Sequence, residues 1–106
     1  MQRRRTTTKA KVFAGLLAQE GEEAWGLRLA KAAHLATGTI YPILIGFESE
    51  GWVSSRWEEV DPSSMGRPRR RLYKLTGLGQ QVARATVDEL TATQPSIVLL
   101  PGLADT

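Results

Sequence analysis

The sequence predicts one α+β domain, mainly helical, built from three helices, a two-stranded β-hairpin and a closing helix. Three observations predict it. Apolar residues recur at helical spacing in the first half, at Val12, Phe13, Leu16 and Leu17 and again at Ile40, Ile43, Leu44 and Phe47. After Gly51 the period changes, and two short stretches rich in aromatic and aliphatic residues flank a Pro-, Gly- and Ser-rich loop. The second and third helices are separated by a very short turn at His34 to Ala36.

The first helix is expected from about Thr8 to Gln19, with Gly21 ending it. The next runs from about Ala24 to Ala33, carrying Trp25, Leu27, Leu29, Ala30 and Ala33. The third opens at Thr37 or Thr39, either of which can cap it. With Thr39 as cap, Pro42 is the third helical residue and forfeits no hydrogen bond. Gly51 closes this helix. Strands follow at Trp52 to Val60 and Arg69 to Leu75, joined through Asp61 to Pro68. Thr76 caps a last helix that reaches about Thr93, before Pro95. One of its stripes, Leu78, Val82 and Ala85, is expected to face the chain's own core. A second, Ala83, Val87 and Leu90, is then left over. The tail Ile97 to Leu100 is too apolar for a solvated linker. The order helix, helix, helix, hairpin, helix is that of a winged helix-turn-helix, whose third helix can enter a major groove.

At 106 residues the chain is one domain's worth, and 42% hydrophobic with 24% charged residues excludes a disordered chain. No Cys is present, which excludes a disulfide framework. The net charge of +3 says less than its distribution. Between Pro62 and Arg84 lie Arg67, Arg69, Arg70, Arg71, Lys74 and Arg84 with no acid, and Arg3, Arg4 and Arg5 open the chain. Acids group elsewhere, at Glu20, Glu22 and Glu23, at Glu48 and Glu50, and at Glu58, Glu59 and Asp61. One positive face is expected, as nucleic-acid binders have. No apolar run is long enough to span a bilayer. The stretch Val12 to Ala18 behind the three arginines is too short, and too close to Lys11 and Glu20, for a signal peptide, so a cytoplasmic protein is expected.

The motifs Gly38-Thr39-Ile40-Tyr41-Pro42, Phe47-Glu48-Ser49-Glu50-Gly51-Trp52-Val53, Gly66-Arg67-Pro68-Arg69-Arg70 and Tyr73-Lys74-Leu75-Thr76 occur in this order. In that order and spacing the chain resembles the PadR family of transcriptional regulators over about Leu16 to Val82. The resemblance implies a homodimeric winged-helix repressor that binds a near-palindromic operator in double-stranded DNA. It implies dimerisation through the last helix and the first, and, in some members, a flat aromatic effector in that interface. Two features depart from the family. The recognition helix carries Ile45-Gly46 where relatives often have basic residues, and the last helix has no tryptophan to stack an effector.

The expected organisation is therefore a basic arm at 1–7, a winged-helix unit at 8–76, a dimerisation helix at 77–94 and an apolar tail at 95–106. The candidate DNA contacts are Thr37, Gly38, Thr39, Tyr41, Pro42 and Ile45 on the third helix, Arg67, Arg69 and Arg70 on the wing, and Arg3, Arg4 and Arg5. The candidate dimer contacts are Ala83, Val87, Leu90, Ile97 and Val98. Arg71 shares a strand face with Tyr73 and is expected to be structural, His34 to serve the turn, and Trp25, Trp52 and Trp57 to pack in the core. No metal-ligand set, cofactor motif or nucleophile system is present, and adjacent acids such as Glu58 and Glu59 diverge on a regular element, so no enzyme is expected. The alternative function is a winged helix that docks on protein, suggested by the slim apolar face at Ile45 and Gly46.

Overall fold

The computed structural model describes residues 2–93, with side chains from residue 7 onward. The elements are α1 (Gln2–Leu17), β1 (Ala24–Trp25), α2 (Gly26–Ala33), α3 (Thr37–Ser49), β2 (Val53–Trp57), α4 (Pro62–Met65), β3 (Arg71–Leu75) and α5 (Gly77–Thr93). Among the described residues no helix is long and apolar enough to cross a membrane.

Helix α1 is the centre of the domain. Residues 12–16 are all buried, because α2, α3, α5 and β3 pack around it. The helix starts at Gln2, so the backbone of Arg3, Arg4 and Arg5 belongs to α1 and not to a separate arm. The side chains of these arginines lie outside the described residues, as do Ile97 and Val98 with the rest of the tail.

Helix α2 starts two residues later than its apolar pattern predicts. Ala24 and Trp25 are extended and pair antiparallel with Tyr73 and Leu72, so the sheet has three strands in the order β1-β3-β2. The long-range pairing overrides the local helical pattern. At its other end α2 closes on His34 in the left-handed conformation (φ 58°), whose amide bonds Lys31 while that of Leu35 bonds Ala30. This double bond is a Schellman closure, and it sets the tight turn into α3.

Helix α3 is capped by neither threonine. It begins at Thr37, its cap is Ala36, and no side chain bonds the free amides there. Pro42 is thus the sixth helical residue and leaves the carbonyl of Gly38 without its helical donor; Gly38 is exposed, so water can serve it. Ile40, Leu44 and Phe47 are buried. Phe47 stacks on Phe13 at 4.2 Å, and Trp52 closes the cluster at 5.8 and 5.5 Å. Trp52 is half-buried against the core, but Trp57 does not pack there: it is 58% exposed.

Strands β2 and β3 pair from Val53 with Leu75 to Trp57 with Arg71. Their connection contains the short α4, nucleated by Asp61, whose carboxylate accepts from the Ser63 amide at 3.0 Å. Pro62 follows the cap, where its missing N–H is no loss.

Helix α5 presents the stripe opposite to the one expected. Ala83, Val87 and Leu90 are buried in the chain's own core against α1; of the expected stripe, Val82 is half-buried against that core, while Leu78 is 53% exposed and Ala85 is exposed. Its start sets this rotation. Thr76 Oγ1 donates to the Gly51 carbonyl at 2.6 Å and accepts from the Gly79 amide at 2.9 Å. Gly79 lies so close to Trp52 that a Cβ would sit 1.7 Å from its carbonyl oxygen. No larger residue fits there, so Gly79 must face inward, and Ala83, Val87 and Leu90 follow at helical spacing. The three, expected as dimer contacts, are instead buried in the chain's own core and leave little surface for a second copy.

Candidate nucleic-acid interface

The outer face of α3 is assembled from small and uncharged groups. Thr37, Gly38, Thr39, Tyr41, Pro42, Ile45, Gly46 and Ser49 are all exposed. Of the two large apolar side chains on this face, Ile45 is 61% exposed and Tyr41 39%. The amides of Thr39 and Ile40 bond the Ala36 carbonyl, whereas those of Thr37 and Gly38 have no acceptor among the described residues. Donors of this kind at a helix start attract anions. The ring of Tyr41 lies over Gly26, where a Cβ would sit 2.4 Å from it. Gly26 thereby lets α2 and α3 approach at their N-termini.

The wing shares a groove with Tyr41 of α3. Its arginines are fixed in different ways. Arg67 is paired with Glu58, which also accepts from the Arg70 amide at 3.0 Å. Arg56 forms a bidentate pair with Glu23 at 2.6 and 2.7 Å. Arg69 donates through Nε to the Val60 carbonyl at 2.8 Å. Arg70 lies 4.0 Å from the centroid of the Trp25 ring, which Arg28 also approaches at 5.7 Å. Arg71 lies 5.2 Å from the centroid of Trp57 and donates to Ser55 Oγ at 3.1 Å. Among the described residues, Arg69, Arg70 and Arg71 have no carboxylate at ion-pair distance.

Trp25, Leu27, Tyr41, Trp57, Pro68, Tyr73 and the run Arg67, Arg69, Arg70 and Arg71 line one open groove of about 700 Å³. The structure thus brings Tyr41 together with the three expected wing arginines. Thr37, Gly38, Thr39, Pro42 and Ile45 lie on the exposed face of α3 outside that lining. Arg67 is at the expected place, but its charge is compensated by Glu58. Reasoning from the loop alone missed this partner, because Glu58 comes from the opposite strand. The hairpin register carries the signal, since Trp57 opposite Arg71 sets Glu58 beside Arg70. Trp25, Trp57, Arg28 and Arg71 were also not expected here. Among the described residues no cluster of His, Asp or Glu could hold a metal ion.

The ion pairs make the wing sensitive to acid. The Arg67 guanidinium holds the Glu58 carboxyl below its ordinary value of 4.5, helped by the Arg70 amide. Arg56 does the same to Glu23, and the hydroxyl and amide of Ser63 lower Asp61. A carboxyl lowered in the folded state stabilises it fully above the ordinary value, and this is lost as pH falls through the folded value. Stability is therefore expected to decline below about pH 4.5. A Glu58→Gln variant should be less stable at neutral pH and show a shallower acid decline in thermal unfolding. An equally steep decline in that variant would show that Glu58 is not a principal titrating group.

Residues 16–85 match the Transcriptional regulator PadR-like family. No curated protein sequence matches the chain significantly. Among solved structures, the chain is similar to a PadR family transcription regulator from hypervirulent Clostridium difficile, with 24% identity over 83% of this chain and 92% of that one, at TM-score 0.63. It is similar to a PadR family transcriptional regulator from Eggerthella lenta, with 23% identity over 84% and 80%, at TM-score 0.64. It also resembles MepR, a transcription regulator of the Staphylococcus aureus multidrug efflux pump MepA, with 22% identity over 84% of this chain, at TM-score 0.59. The chain spans about three fifths of the length of MepR. These likenesses share the winged-helix architecture found here. With the family match covering well over half of its residues, the chain belongs to the PadR-like family of transcriptional regulators.

Proposed function

We propose that this protein is a cytoplasmic repressor that binds a near-palindromic operator in double-stranded DNA as a homodimer. The observation that carries the reading is that Tyr41, on the exposed side of α3, lines one open groove together with Arg69, Arg70 and Arg71, which have no ion-pair partner among the described residues. Helix α3 enters the major groove, and Thr37, Thr39 and the free amides at its start meet phosphates. Tyr41 takes the backbone beside them. Ile45 contacts thymine methyls, and DNA shape supplies the remaining discrimination, because α3 offers no Arg or Lys for guanine. Arg69 and Arg70 supply phosphate neutralisation, with Arg3, Arg4 and Arg5 as further cations. The apolar tail, with Ile97 and Val98, is assigned to the contact between copies, which must set two α3 helices about 34 Å apart.

A gel shift on the DNA upstream of the chain's own gene tests the reading. The expected result is a discrete complex that a scrambled duplex competes away only in large excess. Equal competition by both duplexes would remove operator recognition. No shift at low salt would remove DNA binding and favour a protein-docking role for the Ile45 face.

A further inference from the structure

We propose that Trp25 and Trp57 are positioning residues that hold Arg70 and Arg71 in place with their charge intact, so that these arginines seat one phosphate strand of duplex DNA in the groove between α3 and the wing. The inference rests on the DNA-binding reading and specifies how that face grips.

The arginines around the sheet differ in what fixes them, and Arg69 is held by the Val60 carbonyl. Arg56 and Arg67 are held by the carboxylates of Glu23 and Glu58, which cancel their charge. Arg70 and Arg71 lie against indole rings, at 4.0 and 5.2 Å from the ring centroids, and Arg71 also donates to the neutral Ser55 Oγ at 3.1 Å. A ring attracts a guanidinium through its quadrupole and brings no net charge. A guanidinium fixed this way is both ordered and fully positive. Ordering a long side chain in advance removes an entropic cost from binding. Carboxylate pairing would order it equally well but leave little attraction for a phosphate.

The surroundings fit the same occupant. Arg28 approaches the Trp25 ring as well, at 5.7 Å, so two cations from different elements share one indole. An anion beside that ring relieves their repulsion. The nearest carboxylate on the wing, Glu58, already accepts from Arg67 and from the Arg70 amide. Tyr41 and Leu27 line the same groove. Trp57 is 58% exposed and offers a flat apolar surface beside the arginines. A deoxyribose–phosphate strand is apolar on its sugars and anionic on its phosphates, which matches this alternation of rings and guanidiniums.

The test compares rings with charges. Affinity for the upstream duplex is measured against salt for the full chain and for Arg70→Gln, Arg71→Gln, Trp25→Leu, Trp57→Leu, Trp25→Phe and Trp57→Phe. Each Arg→Gln change removes a charge, so affinity falls and the log–log salt slope shrinks by about 0.9 per phosphate released. Each Trp→Leu change keeps the charge and loses the ring. Affinity is then expected to fall about threefold to tenfold with the slope unchanged, and Phe is expected to restore most of the loss. Because Trp57 is largely exposed, its variants keep the fold; those at Trp25 are read beside their thermal unfolding. Wild-type affinity in Trp57→Leu, equal losses with Leu and Phe, or a smaller slope on loss of the ring would each overturn the positioning role and leave the DNA-binding reading standing. No binding of any duplex by the wild-type chain would overturn both.

Discussion

An Ile45→Glu variant is expected to lose specific DNA binding by at least about 100-fold while keeping its fold. Ile45 is 61% exposed, so the substitution removes little buried area and strands no polar group. Its stability should lie within about 1 kcal/mol of the parent. In the bound state the new carboxylate faces a phosphate-lined groove, and like charges set against each other at an interface cost several kcal/mol. Neighbouring Gly46 and Ser49 supply no cation to offset it. Anisotropy titration with the operator duplex, beside a thermal melt, separates the two effects. A variant that still discriminates operator from scrambled DNA would take the Ile45 face out of the groove.

A Val87→Asp, Leu90→Asp double variant is expected to unfold the domain. Both residues are buried, at 7% and 5% exposure, where α5 packs on α1. Burying an unpaired carboxylate costs several kcal/mol, and two of them rival the whole stability of a small domain, about 5–15 kcal/mol. Far-UV circular dichroism should show loss of helix at room temperature. Leu78→Asp, at a site 53% exposed on the same helix, serves as the control and should melt like the parent. A double variant that stayed folded and became monomeric would put this stripe at an interface between copies after all.

The contrast between these two stripes shows what the sequence makes legible. Periodicity announced that α5 has apolar residues on more than one side, but not which side faces inward. That is decided by Gly79 against the Trp52 carbonyl, a contact between residues far apart in sequence and invisible to a local pattern. Strand β1 was hidden for a similar reason. Two residues carry no period, and their extended form exists through pairing with Leu72 and Tyr73. Elements governed by local chemistry were readable: the Thr76 cap, the Ile40, Ile43, Leu44 and Phe47 stripe, of which Ile43 is half-buried and the rest buried, and the tight turn at His34. At the candidate site, exposure along α3 followed from its core stripe. The division of the arginines did not, because Glu58, Trp25 and Trp57 reach them across strands.

The central claim is that the outer face of α3 and the wing form the DNA-binding surface of this PadR-like protein. Amide chemical-shift mapping on adding the operator duplex tests it most directly, because a chain of 106 residues gives resolved spectra residue by residue. The largest shifts are predicted over residues 37–46 and 66–71 and at the Trp25 and Trp57 indole N–H groups, with the buried face of α5 nearly still. Shifts concentrated on α5, with residues 37–46 and 66–71 unmoved, would contradict the account.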